Sequence, residues 1–154
     1  MSKPDTSPLS AWRGCTCFEL RKLTRMVTRL YDQHLAVAGL KTTQYSLLMH
    51  VKQEALPVTR LAALLGVERT TLSRNLKPLL EAGLVTLRPG TDPRQRIVTI
   101  SAVGVDKLRA ARAAWRKAQA ALEQALGTEA VQALHGQIGL SMERLAPLVD
   151  AGAP

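Results

Sequence analysis

Residues that can hydrogen-bond to DNA bases recur on one face of a predicted helix near the middle of the chain. Thr70, Ser73, Arg74 and Lys77 follow the i, i+3, i+4, i+7 spacing that places side chains on a single helix face. An arginine can donate to both N7 and O6 of guanine, and hydroxyl groups suit either base edges or phosphates. An ordinary solvated helix face has a similar composition, so the interpretation depends on the elements that hold this face.

The segment around these residues, 59–77, has the features of a helix-turn-helix. Ala62 is the small residue where two helices cross, and Gly66 suits the turn between them. One position where an apolar residue is expected holds Asn75, and an apolar residue follows directly. The side chains predicted to be buried are Leu61, Leu65, Val67, Leu72 and Leu76.

Two short runs rich in β-forming residues follow, at 84–88 and 96–100, with Pro89, Gly90, Asp92 and Pro93 between them. This composition predicts a β-hairpin with a long tip. Basic side chains are frequent from the second helix of the motif to the hairpin, namely Arg69, Arg74, Lys77, Arg88, Arg94 and Arg96. A basic tip beside the second helix of the motif, the recognition helix, can reach the minor groove of DNA, where narrow tracts concentrate negative potential. A charged solvent loop is the alternative.

Apolar residues at helical spacing predict the helices that precede the hairpin. Thr16 and Glu19 fit a capping box at the start of the first helix, which Gly39 ends. A second helix is predicted from residue 42 or 43 to 53, and a third to residue 65 with Thr59 as its N-cap. The recognition helix is predicted from residue 68 or 69 to 82, with Pro78 expected to bend it or to remove one hydrogen bond.

Two long helices are predicted after the hairpin, the fifth capped by Ser101 and the sixth starting after Gly127. Their apolar stripes are longer than one small lobe needs internally, which predicts association with a second copy. The predicted fold is therefore all-α with a small β wing. We call residues 42–101 the winged lobe and residues 12–41 with 102–150 the helical lobe, preceded by a flexible lead-in over residues 1–11.

Composition narrows the class of function. The 154 residues include 21 Lys and Arg against 12 Asp and Glu, a net charge of +9 that favours polyanionic partners. Aromatic residues, at 3%, are too few for a surface that stacks single-stranded bases. Neither a secretory signal nor an apolar run of about 20 residues occurs, so we expect a cytoplasmic protein without membrane contact. No phosphate loop, nucleophile elbow or zinc-protease motif is present, so neither an enzyme nor a cofactor is expected.

The runs 69–85 and 92–101, including the triplet Asp92-Pro93-Arg94, closely resemble the multiple-antibiotic-resistance regulator (MarR) family, and the helix order extends the resemblance over nearly the whole chain. The resemblance implies an obligate homodimer on palindromic double-stranded DNA, usually a repressor, released when a small-molecule effector changes the spacing of the recognition helices. It implies that Arg94 enters the minor groove and that Asp92 orients the wing by pairing with an arginine. The residues that it places in the major groove are Thr70, Thr71, Ser73, Arg74 and Lys77.

Cys15 and Cys17 are expected to be free thiols. If Thr16 is the cap, Cys17 lies in the first helical turn, where unpaired N–H groups stabilise a thiolate. The segment from Cys17 to Leu20, with Tyr31, resembles the family branch that senses organic hydroperoxides with a cysteine held by tyrosines of both subunits. Tyr31 matches one of these tyrosines, and Arg21 replaces the other. A structural thiol is the competing interpretation.

Two alternatives to an effector-controlled repressor follow from these residues. One is a thiol-based peroxide sensor in which cysteine chemistry is primary. The other is a nonspecific architectural DNA-binding protein, although the polar stripe on the recognition helix favours specific binding because phosphate contacts alone need only scattered Lys and Arg. The three histidines are too scattered for a metal site with the thiols.

Overall fold

A computed structural model describes residues 14–92 and 94–150, which form six α-helices and three short strands. The helices are α1 (Thr16–Leu35), α2 (Thr42–Gln53), α3 (Val58–Leu64), α4 (Arg69–Glu81), α5 (Ala102–Leu126) and α6 (Thr128–Asp150). The strands are β1 (Leu56–Pro57), β2 (Val85–Pro89) and β3 (Arg96–Ile100). The predicted fold class is confirmed. The predicted lead-in and the first two residues of the helical lobe lie outside the described residues.

Most of the predicted helix ends are correct. A short 3₁₀ turn follows α1 and ends at Gly39, whose φ of 62° is in the left-handed region that suits glycine. At the start of α5, the Ser101 hydroxyl oxygen accepts a hydrogen bond from the Gly104 backbone N–H at 3.0 Å. This is the predicted N-cap, and it satisfies one of the N–H groups that a helix leaves unpaired at its beginning.

Two predicted N-caps are wrong. Cys15, not Thr16, is the N-cap residue of α1, and among the described residues no side chain caps that helix end, so the predicted capping box does not form. Helix α3 begins at Val58 after Pro57, one residue before the predicted cap Thr59. The physical reason for the second error is strand β1, which ends at Pro57 and leads directly into α3.

The wing is a three-stranded antiparallel sheet in the order β1-β3-β2 rather than a two-stranded hairpin. Leu56 pairs with Val98, and Val85 pairs with Ile100 at the other edge of β3. The core packs the sheet against α2, α3 and α4 and continues onto α5. Its most deeply buried large side chains are Leu35, Leu47, Leu48, Leu56, Leu61, Leu72, Leu79, Val85 and Val98.

Helix α6 leaves most of its predicted apolar stripe uncovered. Val131 is buried, but Met142 is 64% exposed and Leu145 is 53% exposed. On α1, Leu20 and Met26 are also exposed. Association through these faces and the division into two lobes stay predictions. Among residues 14–92 and 94–150, none of the helices combines the length and the apolar character that crossing a bilayer requires.

Candidate nucleic-acid interface

The two predicted faces of α4 differ sharply in burial. Leu72, Leu76 and Leu79 are buried and hold the helix against the core. The side chains predicted to contact DNA from this helix are all exposed, namely Arg69, Thr70, Thr71, Ser73, Arg74 and Lys77. Since the apolar stripe fixes the rotation of α4 about its axis, the polar stripe points away from the protein.

The polar groups on this face are available to a ligand. The Arg74 side chain makes no hydrogen bond or ion pair with any described residue, and the Ser73 hydroxyl donates to the Arg69 carbonyl oxygen at 2.9 Å. Because that proton is used within the helix, the lone pairs of the Ser73 hydroxyl remain to accept from a base amino group. Lys77 Nζ lies 3.9 Å from Glu81 Oε1, and both side chains are mostly exposed, so this ion pair adds little stability.

Pro78 lies inside α4 and faces solvent. It has no N–H to donate to the Arg74 carbonyl, so the predicted loss of one helical hydrogen bond follows from its chemistry. The helix nevertheless continues, because the Ala82 N–H donates to the Pro78 carbonyl at 3.1 Å.

The end of α4 is fastened to the start of α5. The Ser101 hydroxyl donates to the Gly83 carbonyl at 2.6 Å, and the Ser101 N–H donates to the Leu84 carbonyl at 3.0 Å. A Cβ on Gly104 would lie 2.1 Å from the Leu84 carbonyl oxygen, so only glycine permits this approach. The start of α5 is therefore held closely against the turn that follows α4.

The tip of the wing is ordered by Asp92. Its carboxylate accepts a hydrogen bond from the Arg94 backbone N–H at 2.8 Å, and its carbonyl accepts from the Gln95 N–H at 2.9 Å. The resemblance implied a pairing of Asp92 with an arginine, and the bond observed to Arg94 is to the main chain. Arg88, Arg94 and Arg96 are all exposed on the wing.

Asp92→Ala is expected to weaken DNA binding even though it raises the net charge of each chain by one. The loss of the turn hydrogen bond disorders the tip that carries Arg94, whereas added positive charge alone would strengthen binding. Asp92→Asn removes the same charge but keeps an oxygen that accepts the Arg94 N–H. Duplex affinity measured at one salt concentration should therefore fall for the alanine variant and be retained for the asparagine variant. Stronger binding by both variants would show that the wing acts through charge alone.

A cavity of about 650 Å³ lies between α1, α2 and α5, which sequence analysis did not locate. The aromatic rings of Tyr45 and Trp115 stack in its wall with centroids 6.2 Å apart. The other lining residues are Tyr31, Thr42, Ser46, Met49, Lys52, Val105, Leu108, Arg109 and Arg112. The cavity thus combines an aromatic and apolar wall with three cationic side chains. The one sequence pattern that could have indicated it is the stripe of Arg109, Arg112 and Arg116 along α5.

Tyr31, which the resemblance assigned to a cysteine site shared by two subunits, lines this cavity. Its hydroxyl donates to Gln119 Oε1, and Gln119 Nε2 donates to Glu123 Oε1 at 2.8 Å. Burial raises the pKa of Tyr31, and the negative charge of Glu123 raises it further. Burial also raises the pKa of Tyr45, although the positive charges of Arg112 and Arg116 oppose the shift. Both phenols are therefore protonated at neutral pH and can donate hydrogen bonds.

The thiols lie at the other end of α1. Cys15 is half-buried at the N-cap, and Cys17 is exposed in the first turn. Tyr31 follows Cys17 by fourteen residues on the same helix, a separation of roughly 21 Å at 1.5 Å per residue, so a single protomer does not bring the two together. Within the described ranges, no three His, Cys, Asp or Glu side chains form a group that could hold a metal ion.

Comparisons with known proteins agree on one family. The family model described as MarR family matches residues 38–96. A structure of the transcriptional regulator MosR from M. tuberculosis in complex with DNA is 34% identical, covering 84% of this chain and 97% of that chain with a TM-score of 0.73.

Two more distant structures share the fold. A cysteine-to-serine variant of MarR from E. coli complexed with operator DNA is 18% identical with a TM-score of 0.78, covering 88% of this chain and 99% of that chain. CouR from Rhodococcus jostii bound to p-coumaroyl-CoA is 20% identical with a TM-score of 0.68, covering 79% of this chain and 86% of that chain. No curated protein sequence matches the chain.

Proposed function

Because the chain belongs to the MarR family of transcriptional regulators, which are not enzymes, we propose that it is a homodimeric repressor that binds a palindromic operator. The observation that carries the proposal is the exposed polar face of α4 beside an ordered basic wing. The 34% identical MosR, solved with DNA, supports the same ligand. In this proposal α4 reads the major groove, Arg94 enters the minor groove, and Arg69, Arg88 and Arg96 add positive charge beside them.

Dimerisation is supported by the uncovered apolar faces of α6 and of the first half of α1. A monomeric protein rarely leaves the apolar stripes of its helices exposed to water. Joining two copies through the helical lobe would present two α4 helices to successive major grooves. The spacing between half-sites would then be about one helical turn of DNA, 10–10.5 base pairs.

Release by a small molecule is supported by the cavity between α1, α2 and α5. Helix α2 belongs to the winged lobe, whereas α1 and α5 belong to the helical lobe, so a bound ligand would press on both. The stacked pair of Tyr45 and Trp115 suits a flat apolar group, and Lys52, Arg109 and Arg112 suit an anionic group. Arg109 is already paired with Asp106 at 3.0 Å, which leaves Lys52 and Arg112 as the stronger candidates.

Release by oxidation is a second candidate, favoured by the exposure of Cys17. The sulfur of Cys17 would attack the peroxide, form a sulfenic acid and release an alcohol. In a gel shift with an organic hydroperoxide, wild type should then lose DNA and recover it with reductant, whereas Cys17→Ser should not respond. Cys15→Ser is the matched control. If peroxide leaves DNA binding by wild type unchanged, the thiols are structural and release of DNA depends on a ligand in the cavity.

Competition by random duplex tests the proposed function against nonspecific architectural binding. Both kinds of protein lose affinity with salt, at a slope of about −0.9 per phosphate neutralised, because released counterions dominate the free energy. A specific repressor should bind its operator about 10³-fold or more tightly than random duplex, so an excess of random DNA below that ratio should not displace the operator. Equal competition by random DNA and operator would overturn the proposal.

A further inference from the structure

At the start of helix α2, the first element of the winged lobe, the N-cap residue offers no side-chain acceptor to the helix. Its N-cap residue is Lys41, whose side chain has no acceptor atom. Gln44 Oε1 accepts from the Lys41 N–H at 2.8 Å. The N–H of Thr42, the first helical residue, has no partner within the helix and needs one from outside it.

The partner comes from α1, in the helical lobe. One carboxylate oxygen of Asp32 accepts from both the Thr42 backbone N–H and the Thr42 hydroxyl, each at 2.6 Å. Asp32 and Thr42 are both half-buried. A negative charge at a helix N-terminus also interacts favourably with the helix dipole, and charge-assisted hydrogen bonds of this length are strong.

This contact lies at the wall of the cavity. Thr42 lines the cavity, and so does Tyr31, the neighbour of Asp32 on α1. While Asp32 holds α2, Tyr31 donates to Gln119 on α5. Two consecutive residues of α1 therefore fasten it to the winged lobe on one side and to α5 on the other.

We propose that Asp32 is a positioning residue, which caps α2 from the other lobe and so sets the orientation of the winged lobe. A ligand bound in the cavity would weaken this contact and so change the orientation of the recognition helix α4. This consequence rests on the proposed function. Loss of the Asp32 carboxylate should therefore change the orientation of one lobe relative to the other more than it changes the stability of either lobe.

The test measures the distance between spin labels on the two lobes, at Ala63→Cys on α3 and Ala120→Cys on α5, both exposed positions. The background is Cys15→Ser with Cys17→Ser, and labelled chain is diluted into unlabelled chain so that each assembly carries one pair. Asp32→Ala should broaden or shift the distance distribution and weaken operator binding about tenfold. Asp32→Asn loses the charge but keeps an acceptor oxygen and should restore most of both, since Asn and Asp cap helices about equally well.

Two further variants separate positioning from stability. Thr42→Val keeps the hydrogen bond from the backbone N–H and loses the one from the hydroxyl, so it should broaden the distance distribution less than Asp32→Ala does. It should also remain folded if Asp32→Ala does not fold. Val51→Ala removes a buried side chain within the winged lobe and should lower the melting temperature without changing the distances.

The proposal is overturned if Asp32→Ala lowers the melting temperature but leaves the distances as in wild type, or if Asp32→Asn behaves like Asp32→Ala. The distance measurement needs no DNA. If wild type prefers no DNA sequence and Asp32→Ala still alters the distances, the proposed function fails and the positioning role stands.

Discussion

Arg74→Ala is expected to lower the affinity for the operator by a factor between about 30 and about 10⁴. A bidentate contact between arginine and guanine contributes about 1–3 kcal/mol, and a dimer makes the contact twice, with each 1.4 kcal/mol equal to a factor of ten. The side chain is exposed on α4 and has no partner among the described residues, so it is free to make that contact. The variant should also tolerate other bases at the position that Arg74 reads.

The measurement is fluorescence anisotropy with labelled operator duplexes at one salt concentration. Lys117→Ala is the matched control, because it removes one positive charge from an exposed position on α5, outside the winged lobe. Operator affinity should fall far more for Arg74→Ala than for Lys117→Ala. Equal losses for the two variants would mean that Arg74 contributes only net charge.

A glutamate at position 142 should convert the protein into a monomer. Met142 is 64% exposed on the uncovered stripe of α6, and a carboxylate there would have to be buried, unpaired, at the dimer interface. Because two linked binding modules gain roughly 10²–10⁴ in overall affinity, the Met142→Glu monomer should lose operator affinity by a factor in that range.

Analytical ultracentrifugation at micromolar concentration measures the assembly directly. Gln132→Glu places the same charge at an exposed polar position of α6, off the apolar stripe, and should leave the dimer intact. A folded wild-type monomer under these conditions would contradict the dimeric account, whatever the variants do.

The sequence predicts those helices and turns whose characteristic residues lie within one short segment of the chain. The apolar stripes fix the helices, and Gly39 and Ser101 mark two of their boundaries correctly. Strand β1 could not be predicted, because Leu56 and Pro57 become a strand only by pairing with β3, some forty residues later. The prediction that Thr16 caps α1 was wrong. The capping-box pattern is matched by residue types alone, whereas in the structure Cys15 is the N-cap residue and Thr16 is already helical.

The same distinction applies to the sites. The polar face of α4 follows from the helical spacing of its own residues, so the exposed positions of Ser73 and Arg74 could be predicted. The cavity could not, because Tyr31, Tyr45 and Trp115 come from three separate helices that meet only in the folded chain. The contact of Asp32 with Thr42 is similarly invisible in the sequence, where Lys41 gives no indication that α2 is capped at all.

Footprinting of the DNA just upstream of the coding region for this chain tests the central claim most directly. A dimer that reads two half-sites through α4 should protect two major-groove windows on one face of the duplex, with centres about 10–10.5 base pairs apart. Minor-groove protection should flank them where Arg94 enters, and Arg74→Ala should abolish the pattern at concentrations where wild type gives it. Uniform protection that follows protein concentration without a preferred position would contradict the account.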